Sequence, residues 1–309
     1  MWKLQFNLLM AHTFRISAVI LVLMLASPVM WAQDDLMNIL EQSDSSSVVL
    51  TEATFKSSRV INGHSVELRA PGVLEVLISH RFGRISGGIN EFFGLDDANI
   101  RIGLELGLFK NLNIGIGRSS FEKQYDGFIK YKLLSQQQGL RNVPLTAVFF
   151  TSMAINSTEA PPDQDWSFTN RTNYTYQLLL ARKFSPNFSL QLTPTLVHKN
   201  LVELPTDDND IYALGIGARQ KITKRLAINF EYFYGFNLPE DRGLHNSLSI
   251  GVDIETGGHV FQLHLTNSRA MIEKGFITET TGDFFDGEIH LGFNISRVFN
   301  VGKKNKEPW

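Results

Sequence analysis

After Leu25 the chain contains no long apolar run, yet from about Val66 its apolar residues recur at every second position. Period-2 alternation is the signature of strands, because successive side chains point to opposite faces. In "NIRIGLELGL", Ile100, Ile102, Leu104, Leu106 and Leu108 share one face, and Arg101, Gly103, Glu105 and Gly107 share the other. "YALGIGARQKI", "LAINFEYFYGF" and "EIHLGFNIS" repeat the pattern. About twelve such segments follow one another, near 72–82, 99–108, 111–119, 126–135, 143–156, 174–185, 188–201, 210–222, 226–236, 246–256, 259–268 and 288–299. The fifth and sixth alternate less cleanly. Each is close to the ~9–11 residues of a tilted membrane strand. A chain without a spanning helix crosses lipid only as a closed barrel, since no other strand arrangement satisfies the backbone there.

The connections alternate in length. The short ones are "FKN", "QQQGLRN", "SPN", "TKR" and "TGG"; the long ones include Gly83–Ala98, Ser157–Asn173 and Arg269–Gly287. Outer-membrane barrels have this asymmetry, with short periplasmic turns, longer outer loops and an even strand count. Folding "SLSIGVDIETGGHVFQLHLTNS" about Gly257-Gly258 sets Ile254 opposite Phe261, Val252 opposite Leu263 and Ile250 opposite Leu265. Asp253 then faces Gln262, Gly251 faces His264 and Ser249 faces Thr266. The aliphatic side is expected to meet lipid and the polar side a lumen.

A soluble β-sandwich also alternates. It would seldom place so many glycines inside strands, where Gly weakens the sheet; a narrow, crowded lumen accommodates them. Phe121, Tyr125, Phe128, Tyr131, Tyr232, Phe233, Tyr234 and Phe236 gather near strand ends, the pattern expected of interfacial girdles.

The amino terminus has the order of a secretory signal. Lys3, His12 and Arg15 precede the apolar Ile16–Leu25, and small residues follow up to a cleavage site placed after Ala32. The apolar core falls short of the ~20 residues of a spanning helix. The expected organisation is a signal peptide over 1–32, a periplasmic segment over 33–65, an outer-membrane β-barrel over 66–299 and a periplasmic tail over 300–309. Of 309 residues none is Cys, which excludes disulfides, thiolate metal sites and a Cys nucleophile. The net charge of -2 gives no reason to expect nucleic acid.

Several stretches together resemble the outer-membrane β-barrel proteins of domain-of-unknown-function family 5777. They include "TFKSSRVINGHSVE" (54–67), "VLISHRFGRISGG" (76–88), "FFGLDDANIRIGL" (92–104), "GIGRSSFEKQYDGFIKYKLL" (115–134), "DIETGGHVFQLHLTNSRAM" (253–271) and "FITETTGDFFDGEIHLGFNISRVF" (276–299). The resemblance implies a Gram-negative envelope barrel and supplies no activity, ligand or catalytic residue.

Alternation places Arg101, Glu105, Lys130, Lys132, Arg219, Lys221, Glu231, Asp253, Glu255, His264 and His290 on the lumen wall, with Glu75 and Arg81. A charge facing lipid at midplane costs ~2–4 kcal/mol. Charges of both signs are expected to pair across the lumen and partly close it. His245 and Ser247 have the two-residue spacing of a base and a nucleophile on one strand, but they face the lumen rather than lipid, so no catalytic residue is assigned. His264 and His290 are read as lumen hydrogen-bonders, and "TDDND" (206–210), which lacks calcium-loop spacing, as a solvated loop. No metal or cofactor is expected. The leading function is passage of a small solute through a porin-like barrel. The alternatives are a non-conducting scaffold that docks a periplasmic partner through Gln33–Ser65 and, less favoured, a lipid-modifying enzyme. No plug domain is recognised. Membrane lipid and the barrel-assembly machinery are the expected partners.

Overall fold

The computed structural model describes residues 48–162, 166–239, 242–256 and 259–302. The expected signal peptide, residues 33–47, the Gly257-Gly258 turn and the tail beyond 302 lie outside the described residues.

Alternation dictates the fold. The described strands are β1 (Val48–Leu50), β2 (Val73–Arg84), β3 (Ala98–Phe109), β4 (Leu112–Ser119), β5 (Gln124–Leu134), β6 (Gln137–Gly139) and β7 (Thr146–Asn156). They continue with β8 (Thr172–Lys183), β9 (Phe188–Lys199), β10 (Asp210–Lys221), β11 (Leu226–Gly235), β12 (Ser247–Thr256), β13 (His259–Thr266) and β14 (His290–Asn300). β2 to β5 and β7 to β14 pair in chain order and close into one barrel through β14 and β2. Every pairing is antiparallel, and the closing seam runs from His290↔Arg84 to Asn300↔Val73. β1 and β6 form a separate two-stranded ribbon. The strand bounds fall within a few residues of those read from alternation. In the β12–β13 hairpin all six expected partners are in register, from Ile254↔Phe261 to Ser249↔Thr266.

The outer face is the aliphatic one. Ile100, Ile102 and Leu104 on β3 are exposed, as are Ile228 and Phe230 on β11 and Leu263 on β13. Their neighbours in sequence, Arg101, Glu105, Asn229, Glu231, Gln262 and His264, are buried inside. An apolar outside around a polar inside inverts the pattern of a soluble barrel and fits one solvated by lipid.

Two girdle assignments need correction. Phe128 and Phe233 point inward, at 7% and 4% exposure. Parity explains it: Phe128 shares a face with Asp126 and Lys130, and Phe233 shares one with Glu231. Tyr125, Tyr131, Tyr234 and Phe236 are exposed. Lumenal glycine makes room for the inward rings. A Cβ on Gly115 would collide with the Phe128 ring and lie 2.8 Å from the Leu104 carbonyl oxygen. Gly115→Ala is therefore expected to destabilise the barrel by about 1–3 kcal/mol, the usual cost of overpacking, measured by urea unfolding in detergent. An unchanged midpoint would show that the ring has room to move.

Candidate functional site

The lumen is not empty. Residues 54–66, expected to be the end of a periplasmic segment and the first residue of the barrel domain, lie inside the barrel, and most of their side chains are buried. They fold as a hairpin: Arg59 bridges His64, the Val60 N–H donates to the Gly63 carbonyl at 2.8 Å, and Ser65 N–H donates to Ser58 at 2.9 Å. From the long-loop end a second segment folds inward between β13 and β14. Its short helix α1 (Glu273–Thr278) is buried along its whole length. Both placements correct the expectation of a lumen partly closed by ion pairs alone, without a plug.

The barrel wall holds each insert by two means. The first is apolar. Phe55, Val60 and Val66 of the hairpin pack with Phe128, Val148, Phe150, Leu179 and Ala181. Phe276 and Ile277 of α1 pack with Val197, Ile211, Ala213 and Phe233. This explains the poor alternation of β7 and β8, whose inner faces carry Val148, Phe150, Leu179 and Ala181 where they cover the hairpin. The expected wholly polar lumen is polar on only part of its wall.

The second means is polar. Both carboxylate oxygens of Glu231 accept backbone N–H groups, from Ile61 at 3.1 Å, Asn62 at 2.9 Å and Gly63 at 3.0 Å. Gln262 Nε2 donates to the Val60 carbonyl at 3.0 Å, and Asn294 Nδ2 donates to Ile61 at 2.9 Å. Gln191 accepts from the Val66 N–H at 3.1 Å and donates to the His64 carbonyl at 2.8 Å. Lys130 Nζ donates to the carbonyls of Ser58 and Glu67, at 3.2 and 3.1 Å. Asn62 is itself gripped: it donates to Ser249 at 2.9 Å and accepts from Arg81. Where the inserts meet, Arg59 Nη1 lies 2.8 Å from Glu273 Oε1, both deeply buried.

The expected lumen charges are thus drawn together, but around the hairpin rather than across a gap. Glu231 serves hairpin amides. Arg101 pairs along the wall with Asp126, Nε to Oδ1 at 2.9 Å. Lys130 lies 3.5 Å from Glu105. Arg219 lies 3.3 Å from Glu255 and 3.8 Å from Asp253, which also accepts from Asn229 and Gln262. Lys132 and Lys221 are half-buried near the short-turn end. Glu255 sits there too, 2.8 Å from Lys56. His264 and His290 are buried on neighbouring strands. His290 Nδ1 contacts the Phe82 carbonyl at 2.8 Å, whereas neither His264 nitrogen has a hydrogen-bond partner. Among the described residues no group of His, Asp and Glu converges as a metal site. Ser247 is buried without a partner for its hydroxyl, and His245 lies 3.7 Å from Asp283. In "TDDND", Asp210 contacts His198 at 2.6 Å, and Asp207 pairs with Arg242.

Cavities open at both ends of the lumen. The short-turn end holds a cavity of about 490 Å³, bordered by Lys56, Arg69, Glu75, Arg225 and Glu255. The long-loop end holds two cavities, of about 550 and 340 Å³, which share Glu122, Glu203 and Glu279. The inserts lie between them.

The surroundings of His64 favour its neutral form. Its ring sits between Phe128 and Phe150, with centroids 4.5 and 4.4 Å away. Its Nε2 is 3.5 Å from Glu273. Burial, and then the charges of Arg59, Lys130 and Arg101, hold its pKa well below the ordinary histidine value. The inserted ring is therefore neutral. A solvated His64 protonates near ~6.5, so insertion is fully favoured above that pH and weakens as pH falls below it. Acidification from pH 7 to 5 is expected to raise trypsin cleavage at Arg59 in the intact barrel by up to about 25-fold. His64→Gln should flatten that response, and an unaltered pH profile in this variant would assign the sensitivity elsewhere.

These features define a class: a membrane-spanning barrel of the outer-membrane type whose lumen is filled by its own chain. The chain belongs to the family described as a membrane-bound β-barrel domain (DUF5777), which it matches over residues 55–299. The match begins at Phe55, so it takes in the inserted hairpin as well as the strands. Among solved structures, the chain is similar to the NanC porin, at 9% identity over 73% of this chain and 98% of that one, with a TM-score of 0.48. It is also similar to the KdgM porin in complex with disordered oligogalacturonate, at 9% identity over 74% and 99%, with a TM-score of 0.46. The Acinetobacter baumannii outer membrane protein Omp33 matches at 7% identity over 73% and 97%, with a TM-score of 0.40. No curated protein matches the chain.

Proposed function

We propose that the protein is a gated channel for small polar solutes, with this structure its closed state. One observation carries the reading. Charged cavities at opposite ends of the lumen are separated by the inserts, and the hairpin's main chain is held by polar groups that water can replace. Opening then requires exit of the hairpin, and exit leaves Glu231, Gln191, Gln262, Asn294 and Lys130 to line the path. Both signs of charge would remain on the wall, which supports weak ion selectivity rather than a strongly charged filter.

A second reading, a permanently closed barrel that serves as a scaffold, draws on the apolar clusters under the hairpin and under α1. Planar-bilayer recording separates the two. The channel reading expects long silent periods broken by brief openings, more frequent at acid pH. Silence at every pH and voltage, in the native chain and in an Asn62→Ala variant that loosens the hairpin, would overturn it in favour of the scaffold.

A further inference from the structure

The polar side of the wall binds the hairpin mainly by its main chain. Glu231 takes three consecutive backbone N–H groups. Gln262, Asn294, Gln191 and Lys130 between them take the carbonyls of Ser58, Val60, Ile61, His64 and Glu67. Gln191 adds one more N–H, that of Val66. The hairpin side chains that the surroundings recognise through strong polar contacts are Asn62, Arg59 and, at the short-turn end, Lys56. On the apolar side, the wall offers cover to Phe55, Val60 and Val66.

Main-chain groups are common to every peptide, so a site that reads them gains affinity without demanding one sequence; apolar pockets then set the preference. Three successive N–H groups converging on one carboxylate are a feature of peptide backbone, the concave anion-binding arrangement of turns. A sugar of equal size offers rotatable hydroxyls that both donate and accept, not a fixed row of N–H donors beside a fixed row of carbonyl acceptors. The wall could have been closed by packing alone. Instead it spends a buried carboxylate, a buried lysine and three carboxamides on backbone atoms.

We propose that the lumen is a peptide-binding site, occupied in this structure by the chain's own residues 54–67, and that short peptides with apolar side chains are its exchangeable ligands. The hairpin is then an internal competitor of the solute. The inference rests on the gated-channel reading for the hairpin's ability to leave, and it names the class of solute.

The test uses the full-length protein in detergent micelles, with Asn62→Ala to loosen the hairpin and Arg59→Ala as a second loosened form. Heat-modifiable gel migration shows that each barrel is intact. Protease access to the hairpin shows that it leaves: trypsin at Arg59 in the Asn62→Ala form, and chymotrypsin at Phe55 in the Arg59→Ala form. The probe is a fluorescein-labelled peptide of sequence TFKSSRVINGHSVE, followed by anisotropy. It is expected to bind the loosened forms. The same peptide, N-methylated at the amides matching Ile61, Asn62 and Gly63, is expected to compete at least about tenfold more weakly, as does the native peptide when Glu231→Gln is added to the wall. A neutral maltooligosaccharide of similar mass is expected not to compete. Equal competition by the methylated peptide or by the sugar would overturn the proposal. So would a hairpin that leaves while no peptide binds, or a hairpin that leaves in neither form. A protein that conducts yet binds no peptide retains the channel and loses this site. One that binds peptide but never conducts keeps the site and loses the channel.

Discussion

Glu231→Ala is expected to hold the barrel open. The substitution removes the acceptor for three buried N–H groups of the hairpin turn. Hydrogen bonds to a charged group contribute roughly 1.5–3 kcal/mol each, and a carboxylate freed from burial returns part of that sum, so a net loss of about 4 kcal/mol is a reasonable scale. That shifts the inserted-to-released ratio by about a thousandfold. Single-channel recording should find openings frequent in Glu231→Ala and rare in the native chain. Glu231→Asp, which keeps the charge but shortens the reach, should fall between them. A Glu231→Ala protein as silent as the native one, with Arg59 still shielded from trypsin, would show that the apolar cluster alone holds the hairpin.

Arg101→Ala should have the next largest effect, this time on the barrel itself. Arg101 on β3 and Asp126 on β5 reach each other over β4, and both are nearly inaccessible to solvent. Gly117 on β4 makes the reach possible: a Cβ there would lie 2.7 Å from the Arg101 guanidinium carbon and 2.8 Å from Asp126 Oδ1. Removing the arginine leaves a buried carboxylate without its partner, at a cost of about 3–5 kcal/mol. Urea unfolding should show that loss. Replacing both residues, as Arg101→Met with Asp126→Leu, should recover most of it, since an apolar pair carries no desolvation cost. If the double variant is no more stable than the single one, the pair's contribution is not the charge balance described.

Much of this architecture is legible in the sequence because period 2 is unforgiving. A slip of one residue in β12–β13 would put Asp253 and His264 into lipid, so the pattern alone specifies the register. The lumen's contents were harder to read. "SSRVINGHS" looks like any polar segment ahead of a barrel, and its hairpin is held in part by distant partners such as Gln191 and Asn294, 125 and 233 positions away. Local signals were nevertheless present. Asn62-Gly63 is a strong turn pair. Met271, Ile272, Phe276 and Ile277 form an apolar cluster inside a long loop, where water would be a poor neighbour. The inward apolar residues Val148, Phe150, Leu179 and Ala181 of β7 and β8 had no water-filled reason to exist. Phe128 and Phe233 carry a different lesson. Parity with Lys130 and Glu231 already turned them inward, and their closeness to other aromatics suggested a girdle that parity excludes.

The contact between Arg59 and Glu273 joins positions 214 residues apart. Arg59 precedes every barrel strand, and Glu273 precedes only the last. Forming so distant a contact costs chain entropy that only the completed fold recovers. The hairpin is synthesised first and must wait, while α1 arrives just before β14 closes the seam against β2. A barrel sealed without the hairpin would leave Glu273 beside a void, and one sealed without α1 would leave Arg59 facing water. The pair therefore ties the first insert of the chain to the last, and its presence marks a molecule that holds both.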